Sequence, residues 1–142
     1  MKYHFKIHQE KELIWAQCIE LEGCITQAFS MEELKQNMQE ALNLYMDEPE
    51  NSTDLAALPD DKIKVSKNIV EVAVDPSIAF AFILRYFRIH SSMTQQQAAD
   101  LMGFDNVFSY QRLERKCNPN LKTLYKIKQV FPDISVDFAL GC

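Results

Sequence analysis

The chain has 142 residues, 47% hydrophobic and 25% charged, with only three Gly and five Pro. That leaves room for one ordinary domain or two small ones, and it excludes disordered, fibrous and low-complexity chains. The formal charge is −5, but it divides unevenly: residues 1–75 balance to −8 and residues 76–142 to +3. An acidic half suits a basic protein partner, and a basic half suits phosphate.

The longest nearly uncharged apolar run, Ile78 to Leu84, is far shorter than the ~20 residues that cross a bilayer. Met1 to Glu12 alternates with charge and has no apolar h-region, so no secretory signal is expected. The four cysteines stand at 18, 24, 117 and 142 with no CxxC pair. A reduced cytoplasmic protein with unpaired thiols and no membrane contact follows as the expectation.

Tyr3, Phe5 and Ile7 alternate with His4, Lys6 and His8, which predicts a strand with one buried face. Leu13 to Glu22 alternates less cleanly, and a bulge or bend near Cys18 would reconcile its two faces. Glu22-Gly23 turns the chain into a third strand, Cys24 to Phe29. Ser30 and Glu33 form a capping box, after which Met31, Leu34, Met38, Ala41, Leu42 and Tyr45 recur at helical spacing. Pro49 is expected to stop that helix, and Glu50 to Lys67 reads as loop. Ile69 to Val74 has strong β propensity.

Asp75-Pro76 reads as an N-cap followed by proline at the first helical position. The helix Ser77 to Ile89 is apolar almost all round, so it belongs at the centre of a second core. Thr94 to Gln97 repeats the capping box, and Gly103 ends a helix that closes near Met102. Further helices run from about Asn106 to Lys116 and from Leu121 to Phe131, with Leu121, Leu124, Ile127 and Val130 as the apolar face of the latter. Pro132 closes it, and Val136 to Leu140 adds one more turn. The fold class is α+β: a βββαβ domain over 1–75, then an all-α domain over 76–142.

Two helices that cross closely need a small residue at the crossing and a turn residue that accepts a left-handed conformation. Ala99 and Gly103 fit those roles, with Leu101, Tyr110 and Leu113 as the shared core. The basic cluster Arg112, Arg115, Lys116, Lys122, Lys126 and Lys128 adds a phosphate-seeking surface. An ordinary helical hairpin would show the same Ala and Gly.

Thr94-Gln95-Gln96-Gln97-Ala98-Ala99-Asp100-Leu101-Met102-Gly103, Leu113-Glu114-Arg115-Lys116 and Asn118-Pro119-Asn120-Leu121-Lys122-Thr123-Leu124 together resemble the Xre/Cro-type helix–turn–helix domain. The resemblance covers about residues 78–140, with one extra residue between Gly103 and Leu113. It implies that residues opening both helices of the motif face DNA. The candidates are Gln95, Asn106, Ser109, Tyr110 and Gln111, with Arg112, Arg115, Lys116 and Lys122 suited to phosphates. Tyr110 fits an apolar core position equally well.

Trp15-Ala16-Gln17-Cys18-Ile19-Glu20-Leu21-Glu22-Gly23-Cys24-Ile25-Thr26-Gln27-Ala28, followed by the helix from Ser30, resembles HicB-type antitoxins. Glu20 stands where that family often has a proline-containing turn, and Ala28 where it often has Gly. The resemblance implies a partial RNase H-like fold that binds and blocks a HicA toxin, a small basic mRNA-cleaving ribonuclease. Acidic candidates for the toxin surface are Glu20, Glu22, Glu32, Glu33 and Glu40, each of which also reads as a solvated face.

A two-metal nuclease needs several converging carboxylates, and the first strand supplies none. Glu20, Glu22, Asp47 and Glu48 do not converge by sequence logic, so no catalytic or metal residues and no cofactor are expected. His4 and His8 share one strand face but stand ~13 Å apart, too far for one ion, and read as surface histidines. Trp15 is either core or an interface anchor, with core favoured. Cys117 beside Lys116 is a candidate for a lowered pKa. A homodimer or higher homo-oligomer is expected, with Phe131, Phe138 and Leu140 as its apolar patch. The competing classes are a regulator whose N-terminal half senses a small molecule, which a buried polar pocket would favour, and a residual enzyme.

Overall fold

The computed structural model describes residues 1–47 and 54–142, so the expected stop at Pro49, Glu48 and the start of the following loop lie outside the described residues. The fold is α+β, and it divides into two compact units. The first is built mainly of Met1–Met46 and Ala56–Val74, the second mainly of Asp75–Leu140.

In the first unit, β1 (Lys2–Glu10), β2 (Leu13–Cys18), β3 (Ile25–Ala28) and β4 (Ile69–Ala73) form one antiparallel sheet in the order β3-β2-β1-β4. Lys11, in the left-handed region at φ 55°, turns β1 into β2. The register sets Phe5 opposite Cys18 and His8 opposite Trp15. Because β4 is antiparallel to β1, it runs opposite to β3. The helix α1 (Met31–Met46) therefore joins two oppositely directed strands and makes no parallel crossover.

α1 buries Leu34, Met38, Leu42 and Met46, an unbroken i, i+4 stripe, while Met31 and Tyr45 stay partly exposed at its margins. It packs mainly on β3, β2 and β4, and the sheet buries the alternate strand residues Tyr3, Phe5, Ala16, Cys18 and Ala28. Ser30 Oγ accepts from the Glu33 amide at 3.2 Å, the cap that starts the helix. β2 alternates cleanly to its end at Cys18, with Ile14, Ala16 and Cys18 inward. The mixed pattern after it comes from the strand ending there: the Cys18 amide donates to Cys24 O and the Ile19 amide to His4 O.

The second unit holds α2 (Pro76–His90), α3 (Gln95–Leu101), α4 (Val107–Arg115), α5 (Leu121–Val130) and α6 (Val136–Leu140). α2 is central, burying every residue from Ile78 to Arg85. Asp75 caps it by accepting from the Ser77 amide at 2.9 Å, with Pro76 just inside. α3 opens with a complete capping box, in which Thr94 and Gln97 each bind the other's backbone amide. Gly103 takes the left-handed conformation, φ 73°, that turns α3 toward α4.

Two expected core residues lie outside. Leu101 is 62% exposed, because α3 ends there and Met102 turns inward in its place. Leu121 is 83% exposed at the first position of α5, and Ile127 carries the inner side of that helix. No helix among the described residues is long and apolar enough to cross a membrane.

Candidate nucleic-acid interface

α4 has two faces of different chemistry. Tyr110 and Glu114, one turn apart, are buried, and Cys117 continues that line just beyond the helix. Phe108, Arg112 and Arg115, spaced four and three residues apart, form the exposed stripe opposite.

The buried face is fixed by an ion pair. Arg88 Nε and Nη2 donate to the two Glu114 carboxylate oxygens at 2.8 and 2.9 Å, and Arg88 Nη1 donates to Met93 O at 2.9 Å. Such a fork defines orientation as well as distance, so α4 is locked to α2 and to the segment leading into α3. Burial works against the Arg88 charge, but the Glu114 hydrogen bond and charge outweigh it and raise its pKa. Tyr110 lies beside this pair, and burial, then the Glu114 charge, push its ionisation well above the ordinary phenol range. The sequence shows Arg88 as one of two arginines on an otherwise largely apolar helix, but nothing local pairs it with Glu114.

The expected DNA-facing residues separate into distinct roles. Tyr110 is fully buried and is a core residue, which removes it from the surface. Asn106 is the N-cap of α4: its Oδ1 accepts from the Ser109 amide at 3.0 Å and from Ser109 Oγ at 3.3 Å. Gln111 Nε2 donates to Gln95 Oε1 at 3.0 Å, joining the start of α3 to α4. Arg112, Arg115 and Lys116 are exposed on and just after α4, and Lys122 is exposed at the start of α5. Phe108, 65% exposed on the leading turn, is the residue that pattern reasoning passes over, because an apolar side chain in a helix reads as core. Lys126 lies over the Phe104 ring at 5.3 Å.

The acidic candidates also divide. Glu22, Glu32 and Glu40 are exposed, and Glu33, also exposed, accepts from the Phe29 amide at 3.4 Å at the start of α1. Glu20 has an enclosed side chain, only 4% exposed. It accepts from the His4 amide at 2.9 Å, meets His4 Nδ1 at 2.8 Å and accepts from the Asp60 amide at 3.2 Å. It is a structural residue, and His4 is buried with it rather than on the surface. Trp15 is half-buried and stacks on His8 at 4.1 Å.

Other features settle elsewhere. Burial pushes the Cys117 thiol up to about 12, so neighbouring Lys116 does not make it acidic. Phe131 belongs to the core of its own unit, leaving Phe138 and Leu140 partly exposed on α6. Among the described residues, no group of three or more His, Cys, Asp or Glu is placed to hold a metal ion. A cavity of ≈ 330 Å³ lies between α1 and β4, lined chiefly by Ile7, Met31, Met38 and Val70 with Lys35 and Gln39. Compared with known protein families and with curated proteins, the chain finds no match in either.

Proposed function

We propose that this chain is a HicB-like antitoxin that also represses its own operon. Residues 1–75, with a partial RNase H-like fold, hold and block a small basic mRNA-cleaving toxin of HicA type. Residues 76–142 act as an Xre/Cro-like helix–turn–helix domain on operator DNA. The protein works in the cytoplasm by binding alone, without catalysis or a cofactor, and as a homodimer or higher homo-oligomer.

The observation that carries the DNA half is the exposed α4 stripe, with two guanidiniums behind an apolar tip, held by the buried Arg88–Glu114 fork. A reading helix needs such rigid mounting, since base contacts depend on placement within fractions of an ångström. Lys116 and Lys122 supply further phosphate partners on the same unit. The acidic balance of residues 1–75 and the exposed Glu22, Glu32 and Glu40 support a basic protein partner for the other half.

Co-expression with the short neighbouring gene tests both halves. The expected result is a co-purifying basic protein whose toxicity disappears, and a complex that shifts the operon's promoter DNA in a gel. A neighbour that neither binds nor harms cells would defeat the antitoxin reading. In that case the α1–β4 cavity, whose lining includes the polar side chains Lys35, Gln39 and Glu71, favours the second reading, a helix–turn–helix regulator that senses a small molecule.

A further inference from the structure

Phe108 is the second residue of α4 and stands 65% exposed, although the inward side of that helix is already filled by Tyr110 and Glu114. Packing within the unit therefore does not account for an aromatic ring at this position. One turn on, Arg112 continues the same stripe, and Arg115 follows it, both exposed. The neighbouring polar groups are already engaged, with Ser109 and Asn106 bonded to each other at the cap. An apolar tip thus leads the stripe, followed along the helix by cations that suit phosphates.

In the major groove the one apolar group that projects beyond a bare C–H on a base edge is the 5-methyl group of thymine. The other bases offer donors and acceptors there, and a phenyl ring pressed on those would leave them without partners. We infer that Phe108 is a specificity-determining residue that reads the thymine 5-methyl group, an inference that rests on the DNA-binding reading above. The ring gains by leaving water only when a methyl group meets it. It discriminates both by that contact and by the penalty against the other bases.

The test uses the full chain and a duplex that the wild type selects from a random-sequence pool. Each thymine of that duplex is replaced in turn by deoxyuridine, which removes only the methyl group. For the wild type, one replacement in each half-site is expected to weaken binding about three- to tenfold. Phe108→Ala should weaken binding to the thymine duplex by a similar factor and become indifferent to the replacement, with an unchanged salt slope and melting temperature. Phe108→Leu, which keeps an apolar tip, should retain most of the response, and it decides the matter if the alanine variant melts early. A Phe108→Ala protein that still distinguishes thymine from uracil as the wild type does overturns the inference. So does one whose only change is in oligomeric state, since the ring would then serve a protein contact. A wild type that selects no duplex overturns the DNA-binding reading itself, and this inference with it.

Discussion

Gln111 Nε2 donates to Gln95 Oε1 at 3.0 Å, so the first residue of α3 holds a side chain from the middle of α4. The bond leaves the Gln111 carboxamide oxygen and the Gln95 amide group with their remaining capacity directed elsewhere. On the DNA-binding function proposed above, two glutamines so joined form one preset hydrogen-bonding unit that is already ordered before association.

The two glutamines should therefore act as a pair. Gln111→Ala and Gln95→Ala are each expected to relax sequence preference by ~1–3 kcal/mol. The double variant should lose less than the sum, by ~1 kcal/mol, because each single change already breaks the shared bond. Binding curves on matched and mismatched duplexes measure this coupling. Strict additivity would show that the glutamines work independently.

Lys116 is exposed just after α4, and the proposed function assigns it to phosphate rather than to base edges. Lys116→Ala should weaken binding to all duplexes alike and lower the slope of log K against log salt by about one per monomer. Gln111→Ala should leave that slope where it is. A salt titration of both variants separates the groups that position the protein from those that read sequence.

The Arg88–Glu114 fork holds α4 from its buried face, with both side chains largely out of water. Glu114→Ala would leave the Arg88 charge without its partner, at a cost of ~3–5 kcal/mol in urea unfolding. Arg88→Met with Glu114→Leu should recover most of that loss, since two apolar side chains strand no charge. Recovery of stability without recovery of DNA binding would assign the pair to orientation of α4 as well as to folding.

Local signals were legible in the residues, and long-range ones were not. The Thr94–Gln97 box, the Ser30 cap and Asp75-Pro76 span four residues or fewer, and each appears where spacing places it. Fold class and element order followed from the same short-range periodicities. The His4–Glu20 and Arg88–Glu114 bonds join positions 16 and 26 residues apart, and no local pattern marks which charge finds a buried partner. Phase within a short helix was equally invisible: Met102 is buried where Leu101 was expected, because α3 has only seven residues before Gly103 reverses the chain. In the candidate interface the cations were legible as a cluster. The division of Asn106, Gln111 and Phe108 among cap, brace and exposed tip depended on the start of α4, which the extra residue before Leu113 obscured.

Asp75 gives the fold a measurable pH dependence. The Ser77 hydroxyl bond, ahead of the Ser77 amide bond, holds its carboxyl below the usual range. A carboxylate lowered in the folded state adds stability that is present above its unfolded value, ~3.9, and fades as pH falls through the folded one. Asp75→Ala should cost about 1 kcal/mol at pH 7 through loss of the α2 cap. The gap between variant and wild type should narrow below pH ~4. Thermal melts at pH 7 and pH 3 give the comparison, and a gap that widens in acid would contradict it.

Charge and burial together sort the acidic residues of the first unit into two experimental classes. Glu20 bonds the His4 amide, the His4 ring and the Asp60 amide, so removing it strands the amide and ring of buried His4 at once. Glu20→Ala is expected to destabilise the chain by ~2–4 kcal/mol, from two or more lost hydrogen bonds to a charged acceptor. Any loss of toxin neutralisation should then track loss of folded protein. Glu22, Glu32 and Glu40 lie exposed, so replacing all three with lysine should leave the melting temperature nearly unchanged. Reversing them should slow association with a basic toxin, most visibly at low salt, where complementary charge contributes most to the on-rate. Association kinetics at two ionic strengths, measured beside melting curves, distinguish the classes. Unchanged association by the triple variant at low salt would move the toxin surface away from these carboxylates, toward the exposed apolar residues Phe29 and Leu44.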